Sequence, residues 1–188
     1  MKTYLLLISL LSSVISLLAP AQPSGSAITQ TEAGASPEMK RLAKALAGDW
    51  NTTETMEHSE LFPKGGSRHG VARVRLDAGG TTLVDEVHSD GSAGKLDGLV
   101  IIWWDKATKL YRFFTCFNDY DRPCGVRGTA HWEGDTFVND YEERENDKKL
   151  KLRDSFIQIT PGSHILVMAI VADDGSLKPL ITTTSTRR

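Results

Sequence analysis

The stretch "LAGDW", Leu46 to Trp50, decides the fold. Upstream of it, Met39, Leu42 and Leu46 recur at helical spacing and give one apolar face. Ser36 suits the cap of that helix, Pro37 its first position and Glu38 the positive end of its dipole. Gly48 is expected to stop the helix in a left-handed conformation, which costs glycine nothing. Trp50 then opens a polar, β-favouring run, "NTTETMEHSE". A helix thus gives way to strands at a single glycine.

Downstream the period is two, and short β-rich runs alternate with turn residues. The expected strands are Trp50–Met56, His69–Leu76, Thr81–His88, Lys95–Trp104, Leu110–Phe117, Val126–Trp132, Thr136–Glu143, Leu150–Thr160, Ile165–Ala172 and Leu177–Thr184. Gly, Asp, Asn and Pro clusters separate them, the residues that accept tight turns. Links this short favour antiparallel neighbours. There is no internal repeat and no second helix of useful length. An antiparallel meander of about ten strands has two edges unless it closes into a barrel. A barrel of that size leaves room inside for a ligand. The helix would cover one open end, with Trp50 beneath it.

The chain has 188 residues, 40% hydrophobic and 24% charged, which is ordinary globular composition. A net charge of -2 gives no reason to expect nucleic acid or an anionic membrane as partner. The N-terminus reads as a signal peptide over residues 1–21: Lys2, an apolar run from Tyr4 to Leu18, then Ala19-Pro20-Ala21. A membrane anchor is the alternative, but the run is short and carries four serines. Residues 22–35 read as a flexible linker and residues 36–188 as the barrel domain. The mature protein is therefore expected to be exported, periplasmic or secreted, with no stable membrane insertion. In that compartment Cys116 and Cys124 are expected to pair as a structural disulfide. Metal ligation or a free thiol are the alternatives, and no further ligands stand at metal spacing nearby.

Gly48-Asp49-Trp50 after a short helix, followed by a meander, resembles the calycin group of lipocalins and fatty-acid-binding proteins. More closely, "LAGDW", "DGLVIIWWDKATKLYRFF" and "GTAHWEGDTFVNDY" resemble an uncharacterised bacterial family of exported lipocalin-like barrels. The resemblance implies an all-β, calycin-type barrel and lends no established activity or cofactor. It also implies that a basic residue from the last strand, Arg187 or Arg188, covers one face of Trp50. The "GGSRHG" loop, Gly65 to Gly70, is expected at the barrel mouth.

No recognised catalytic motif is present, neither a G-x-S-x-G elbow nor an H-E-x-x-H helix nor a phosphate loop. His58, His69, His88, His131 and His164 are scattered. Asn118, Asp119 and Asp121 are oxygen ligands of the calcium type, but the EF-hand pattern is missing and the same residues make turns. Alternation puts Tyr111, Phe113, Thr115 and Phe117 on one face, and Phe137, Asn139 and Tyr141 on one face. Pockets pair aromatic walls with a few polar groups, so Phe113, His131, Asn139 and Tyr141 are the expected ligand lining. A packed core of the same aromatics is the alternative. The function expected is a barrel holding a small apolar or amphipathic molecule. Two alternatives are an enzyme using an interior polar site such as His131 with Asp154, and a haem-binding nitrobindin-like barrel. The latter carries a longer Gly-rich pattern around its first-strand Trp. This chain has "GDWNTTE" instead, which counts against haem.

Overall fold

The computed structural model describes residues 34–118, 124–145 and 148–188. The expected signal peptide and most of the expected linker lie outside the described residues, as do Asp119 and Asp121. Helix α1 spans Pro37–Leu46. Ten strands follow: β1 Gly48–Met56, β2 Gly66–Asp77, β3 Thr82–Gly91, β4 Leu96–Asp105, β5 Leu110–Phe117, β6 Cys124–Glu133, β7 Thr136–Glu145, β8 Lys148–Ile157, β9 Ser163–Val171 and β10 Leu177–Arg187. Each pairs antiparallel with the next, and β1 pairs with β10, so the sheet is a closed barrel. Every backbone edge is thereby paired, which a ten-strand open meander could not achieve.

Local chemistry sets the helix. The Ser36 hydroxyl accepts the Met39 N–H at 3.3 Å, and Pro37 follows at the first position. Its buried residues, Met39, Leu42, Ala43 and Leu46, face the barrel end beside β2, β3 and β4. The end of the helix differs from the expectation. Ala47, not Gly48, caps it, in an extended conformation, and its N–H still reaches the Ala43 carbonyl at 2.8 Å. Gly48 is already the first residue of β1, with φ of 156°. It is glycine for a second reason: a Cβ there would stand 2.5 Å from Nη1 of Arg187.

That guanidinium belongs to the seal of this end. Trp50 is fully buried, and its indole N–H donates to the Leu46 carbonyl at 2.9 Å. The Arg187 Cζ sits 4.5 Å from the centre of the Trp50 ring. Arg187 also donates to the carbonyls of Pro161 at 2.6 Å and Ala47 at 3.2 Å. Across the same end, the Tyr111 hydroxyl donates to the Glu38 carbonyl at 2.8 Å. Arg41 lies over Trp132 at 4.1 Å and donates to the Gly134 carbonyl. The helix is stitched to the β4–β5 and β6–β7 hairpins and to the seam of β1 and β10, and this end of the barrel is closed.

Two boundaries also differ from the sequence reading. "GGSRHG" is not a loop: from Gly66 onward it is β2. Arg68 within it faces inward, 3.5 Å from Glu54, and that ion pair draws a turn-like sequence into the sheet. The loop is residues 57–65, whose Leu61 and Phe62 pack against the core. Strand β8 ends at Ile157 because Gln158 takes φ of 51° and Thr160 organises the turn, accepting the N–H of Ser163 at 2.9 Å.

Cys116 and Cys124 are bonded to each other, at the register shift where β5 leaves β6. This hairpin lies at the end of the barrel opposite the helix. Alkylation of the protein without reductant is expected to label neither thiol. Closing a loop of this size stabilises by about 2–3 kcal/mol, so the double Cys→Ser variant should unfold at lower denaturant.

Replacing Trp50 with Ala empties the sealed end and should cost about 3–5 kcal/mol in urea unfolding. Trp50→Phe keeps the ring stacked under Arg187 and loses one hydrogen bond, about 1 kcal/mol. An unfolding midpoint for Trp50→Ala equal to that of the parent would refute the plug.

Candidate functional site

Alternation along the strands sorts side chains into inside and outside. At the helix end the inner residues Trp50, Leu83, Ile102, Tyr111 and Phe137 form a sealed apolar layer. Toward the other end the interior changes. Val87, Val100, Val126, Met168 and Ile170 pack against the core yet are only partly buried. Solvent therefore reaches the inside of the wall in this half. Phe117 folds across Gly98 here, where a Cβ would meet its ring at 2.2 Å. A glycine at that inner position lets an aromatic lie flat against the strand.

Polar residues stand at the boundary between the two halves. Going from the sealed end, the inner residue after Phe137 on β7 is Asn139, and the one after Leu83 on β3 is Asp85. On β8 the inner residue beside Phe156 is Asp154. Asn139 and Asp154 are cross-strand partners. Tyr141 donates its hydroxyl to Asp154 Oδ1 at 3.1 Å, and the Asn139 amide donates to the same carboxyl. Phe113 meets Tyr141 edge to face at 5.6 Å. Asn139 is 4% exposed, and its Oδ1 is sealed from solvent with no hydrogen-bond partner. With Asp154 ionised the orientation follows from chemistry: a carboxylate only accepts, so the amide nitrogen faces it and the Asn139 oxygen is left over. Asp85 Oδ1 is likewise sealed without a partner. Leaving a buried acceptor unpaired costs about 1–3 kcal/mol.

Burial raises the Asp154 carboxyl to about 7, opposed by the bonds from Tyr141 and Asn139 and assisted by the charges of Glu143 and Asp140. Asp85 is raised to about 7 by burial, with the Glu86 charge adding. Nearer the mouth, Arg68 pairs with Glu54, the side chains being 5% and 14% exposed. Arg68 also donates to the Ala93 carbonyl at 3.3 Å. In the sealed end, His164 packs edge-on against Trp50 at 4.7 Å. Burial lowers its imidazole to about 4, with the charge of Arg187 adding.

Phe113, Asn139 and Tyr141 thus share the inner face. His131 does not join them. The inner positions of β6 are Val126, Gly128, Ala130 and Trp132, so His131 alternates outward. It lies 3.0 Å from Glu133 and 3.8 Å from Asp140 on the outer wall. The pairing of His131 with Asp154 is therefore ruled out, since the two stand on opposite faces of the sheet. Asp85, Arg68 and Glu54 escaped the sequence reading. Asp85 had a signal: a charge at an apolar-phase position, between Leu83 and Val87. Two open depressions lie on the wall around Arg112, Arg127 and Asp140, and the inward-phase residues Phe113, Gly128, Tyr141 and Leu152 also border them. Neither is lined by Asp85, Asn139 or Asp154. Among the described residues no three His, Cys, Asp or Glu converge as metal ligands, and no helix is long and apolar enough to cross a membrane.

The chain is similar to several solved structures. Rv2717c from M. tuberculosis is 12% identical, with a TM-score of 0.56 over 82% of this chain and 99% of that one. The S-type phycobiliprotein lyase CPES from Guillardia theta is 10% identical, with a TM-score of 0.50 over 79% and 92%. A redesigned β-barrel, mFAP0, bound to DFHBI, is 14% identical, with a TM-score of 0.43 over 76% and 99%. No family model and no curated protein matches the chain. The fold is that of the calycin-like barrels, ten-stranded and antiparallel with one short helix before the first strand.

The raised carboxyl gives a pH signature with a definite sign. Between about pH 4 and 7 folded Asp154 holds a proton that the unfolded chain has lost. Its contribution to stability is full below the unfolded value and is lost as pH rises through the folded one. Asp85 acts in the same direction. His164 acts oppositely: its contribution is present above 6.5 and is lost as pH falls through about 4. Asp154→Asn should therefore gain on the parent between about pH 5 and pH 8, by on the order of 1–3 kcal/mol in urea unfolding. An equal offset at both pH values would contradict the buried carboxyl.

Proposed function

We propose that the protein is an exported binding barrel that takes a small apolar or amphipathic molecule into the open half of its interior. One observation carries this reading. Inner apolar side chains of that half, Val87, Val100, Val126, Met168 and Ile170, keep solvent contact although the opposite end is sealed. Apolar surface held against trapped water is stabilised by any apolar molecule that displaces the water. Phe113, Asn139 and Tyr141 are the proposed lining. Trp50 and the Cys116–Cys124 bond are proposed to hold the two ends of the wall. Export is supported by the signal-like N-terminus together with the disulfide, which persists in oxidising compartments. Neither nucleic acid nor a metal or cofactor enters the reading, and catalysis is not part of it.

Nile red, an uncharged dye whose emission rises in apolar surroundings, tests the site. Folded protein is expected to bind it saturably, with one dye per chain. Thr115→Phe, which fills the inner face, should abolish binding, whereas Trp103→Ser on the outer wall should not. Circular dichroism checks that both variants fold. Loss of binding in Trp103→Ser alone would move the site to the outside of the barrel. Native mass spectrometry of exported protein, with a retained small molecule expected, stands independently of any variant.

A further inference from the structure

The floor of the open half is acidic, and the unpartnered side-chain atoms of Asp85 and Asn139 there are both acceptors. Asp85 on β3 and Asp154 on β8 each stand one inner position above the sealed layer. In the ring of ten strands β3 and β8 are five apart, on opposite walls. Glu143 follows Tyr141 on the inner face of β7, and its charge bears on Asp154. Among the described residues, the buried basic side chain of this half is Arg68, and it is engaged with Glu54. The interior therefore carries more carboxyls than cations.

The second observation is independent of charge. Asn139, more than nine-tenths buried, holds an unpartnered Oδ1 at this level beside Asp154, and Asp85 Oδ1 is unpartnered as well. Both are acceptors. A ligand group that satisfies them has to donate hydrogen bonds. A carboxylate, sulfonate or phosphate would bring only further acceptors beside Asp154. A carbonyl would do the same. An ammonium group brings three donors and the complementary charge.

On the reading that this is a small-molecule barrel, we infer that its ligand is an amphipathic amine, bound head first. The ammonium group lies at the floor against Asp154 and Asn139 Oδ1. The apolar tail runs toward the mouth along Phe113, Val87, Val126 and Met168. Leu61 and Phe62 of the β1–β2 loop pack over its far end. Binding keeps Asp154 ionised, so amine affinity rises as pH goes from about 5.5 to 8.

The test is displacement of bound Nile red by decylamine, decanol and decanoate, which share one tail and differ in the head. At pH 8 decylamine is expected to displace the dye at a concentration roughly tenfold below that for decanoate, the span of one charge-assisted hydrogen bond. The preference should shrink at pH 5.5. Asp154→Asn should remove it while leaving decanol unchanged. Glu142→Gln, a charge removed from the outer face of the neighbouring strand, should keep it. Decanoate equal to or better than decylamine overturns the amine while the barrel reading stands. An amine preference untouched by Asp154→Asn also overturns it, because the charge would then be read elsewhere. If Nile red itself fails to bind, the barrel reading falls and the amine with it.

Discussion

The guanidinium of Arg187 lies over the indole of Trp50 where the first and last strands meet, and it bonds the carbonyl that ends the helix. These groups are 137 residues apart in the chain by their numbers, so the contact forms only when the ring of strands has closed. Closing a long loop costs entropy that only the finished contact offsets. The seam concentrates such contacts: a ring stacked on a cation, an indole N–H on Leu46, and three donor atoms of one arginine side chain and backbone on Pro161, Ala47 and Gly162. Gly48 is the consequence, since any side chain there would occupy the space of the guanidinium. An opening motif that reads as a helix stop is in fact a docking space.

The closed end divides the interior, and the division explains the chemistry above it. A fully packed barrel would bury apolar side chains to the mouth. Here packing stops at the layer of Leu83, Phe137 and Phe156, and the next inner position on each of those strands is polar. Buried polar groups lower stability unless they are paired. Chains that break a local rule in one confined region usually do so at a functional site. That Asp85, Asn139 and Asp154 each follow a residue of the sealed layer on their strands is what supports the proposal that the region binds something.

Much of this was legible in the sequence, for physical reasons that can be named. Turn residues bounded all ten strands, because Gly, Asp and Asn are selected by backbone conformation wherever the chain reverses. The cap at Ser36 was legible because it is local. Alternation put Phe113 with Thr115, and Asn139 with Tyr141. It could not say which face was inward, since on β6 the residue beside His131, Trp132, is as plausible a lining as His131 itself. The resolving signal was the small pair Gly128 and Ala130 in phase with Trp132, which suits the inside of a curved wall. The Arg68–Glu54 pair was invisible for a different reason. Its partners are fourteen positions apart and meet through the β1–β2 register, which no local pattern encodes. The same holds for Gly48, whose constraint comes from the other end of the chain.

If the barrel takes an amphipathic molecule, as proposed, the direction of entry follows from where the polarity sits. In a barrel whose mouth alone is polar, an amphipathic molecule leaves its head in water and buries its tail. Here the mouth half is walled by Val87, Val126, Met168 and Phe113, and the sealed acceptors lie beneath, at the floor. A head group passes the Arg68–Glu54 pair, whose charges already meet each other, and finds the Asp154 carboxyl and the unpartnered Oδ1 of Asn139. Such a descent discriminates between heads, because a group lacking donors loses hydration and gains nothing. A tail, by contrast, meets a wall that accepts any apolar shape of the right width. Specificity in this barrel would reside at the bottom and affinity along the sides. That separation is what a floor of acceptors beneath an apolar shaft produces, whatever the length of the molecule that fills it.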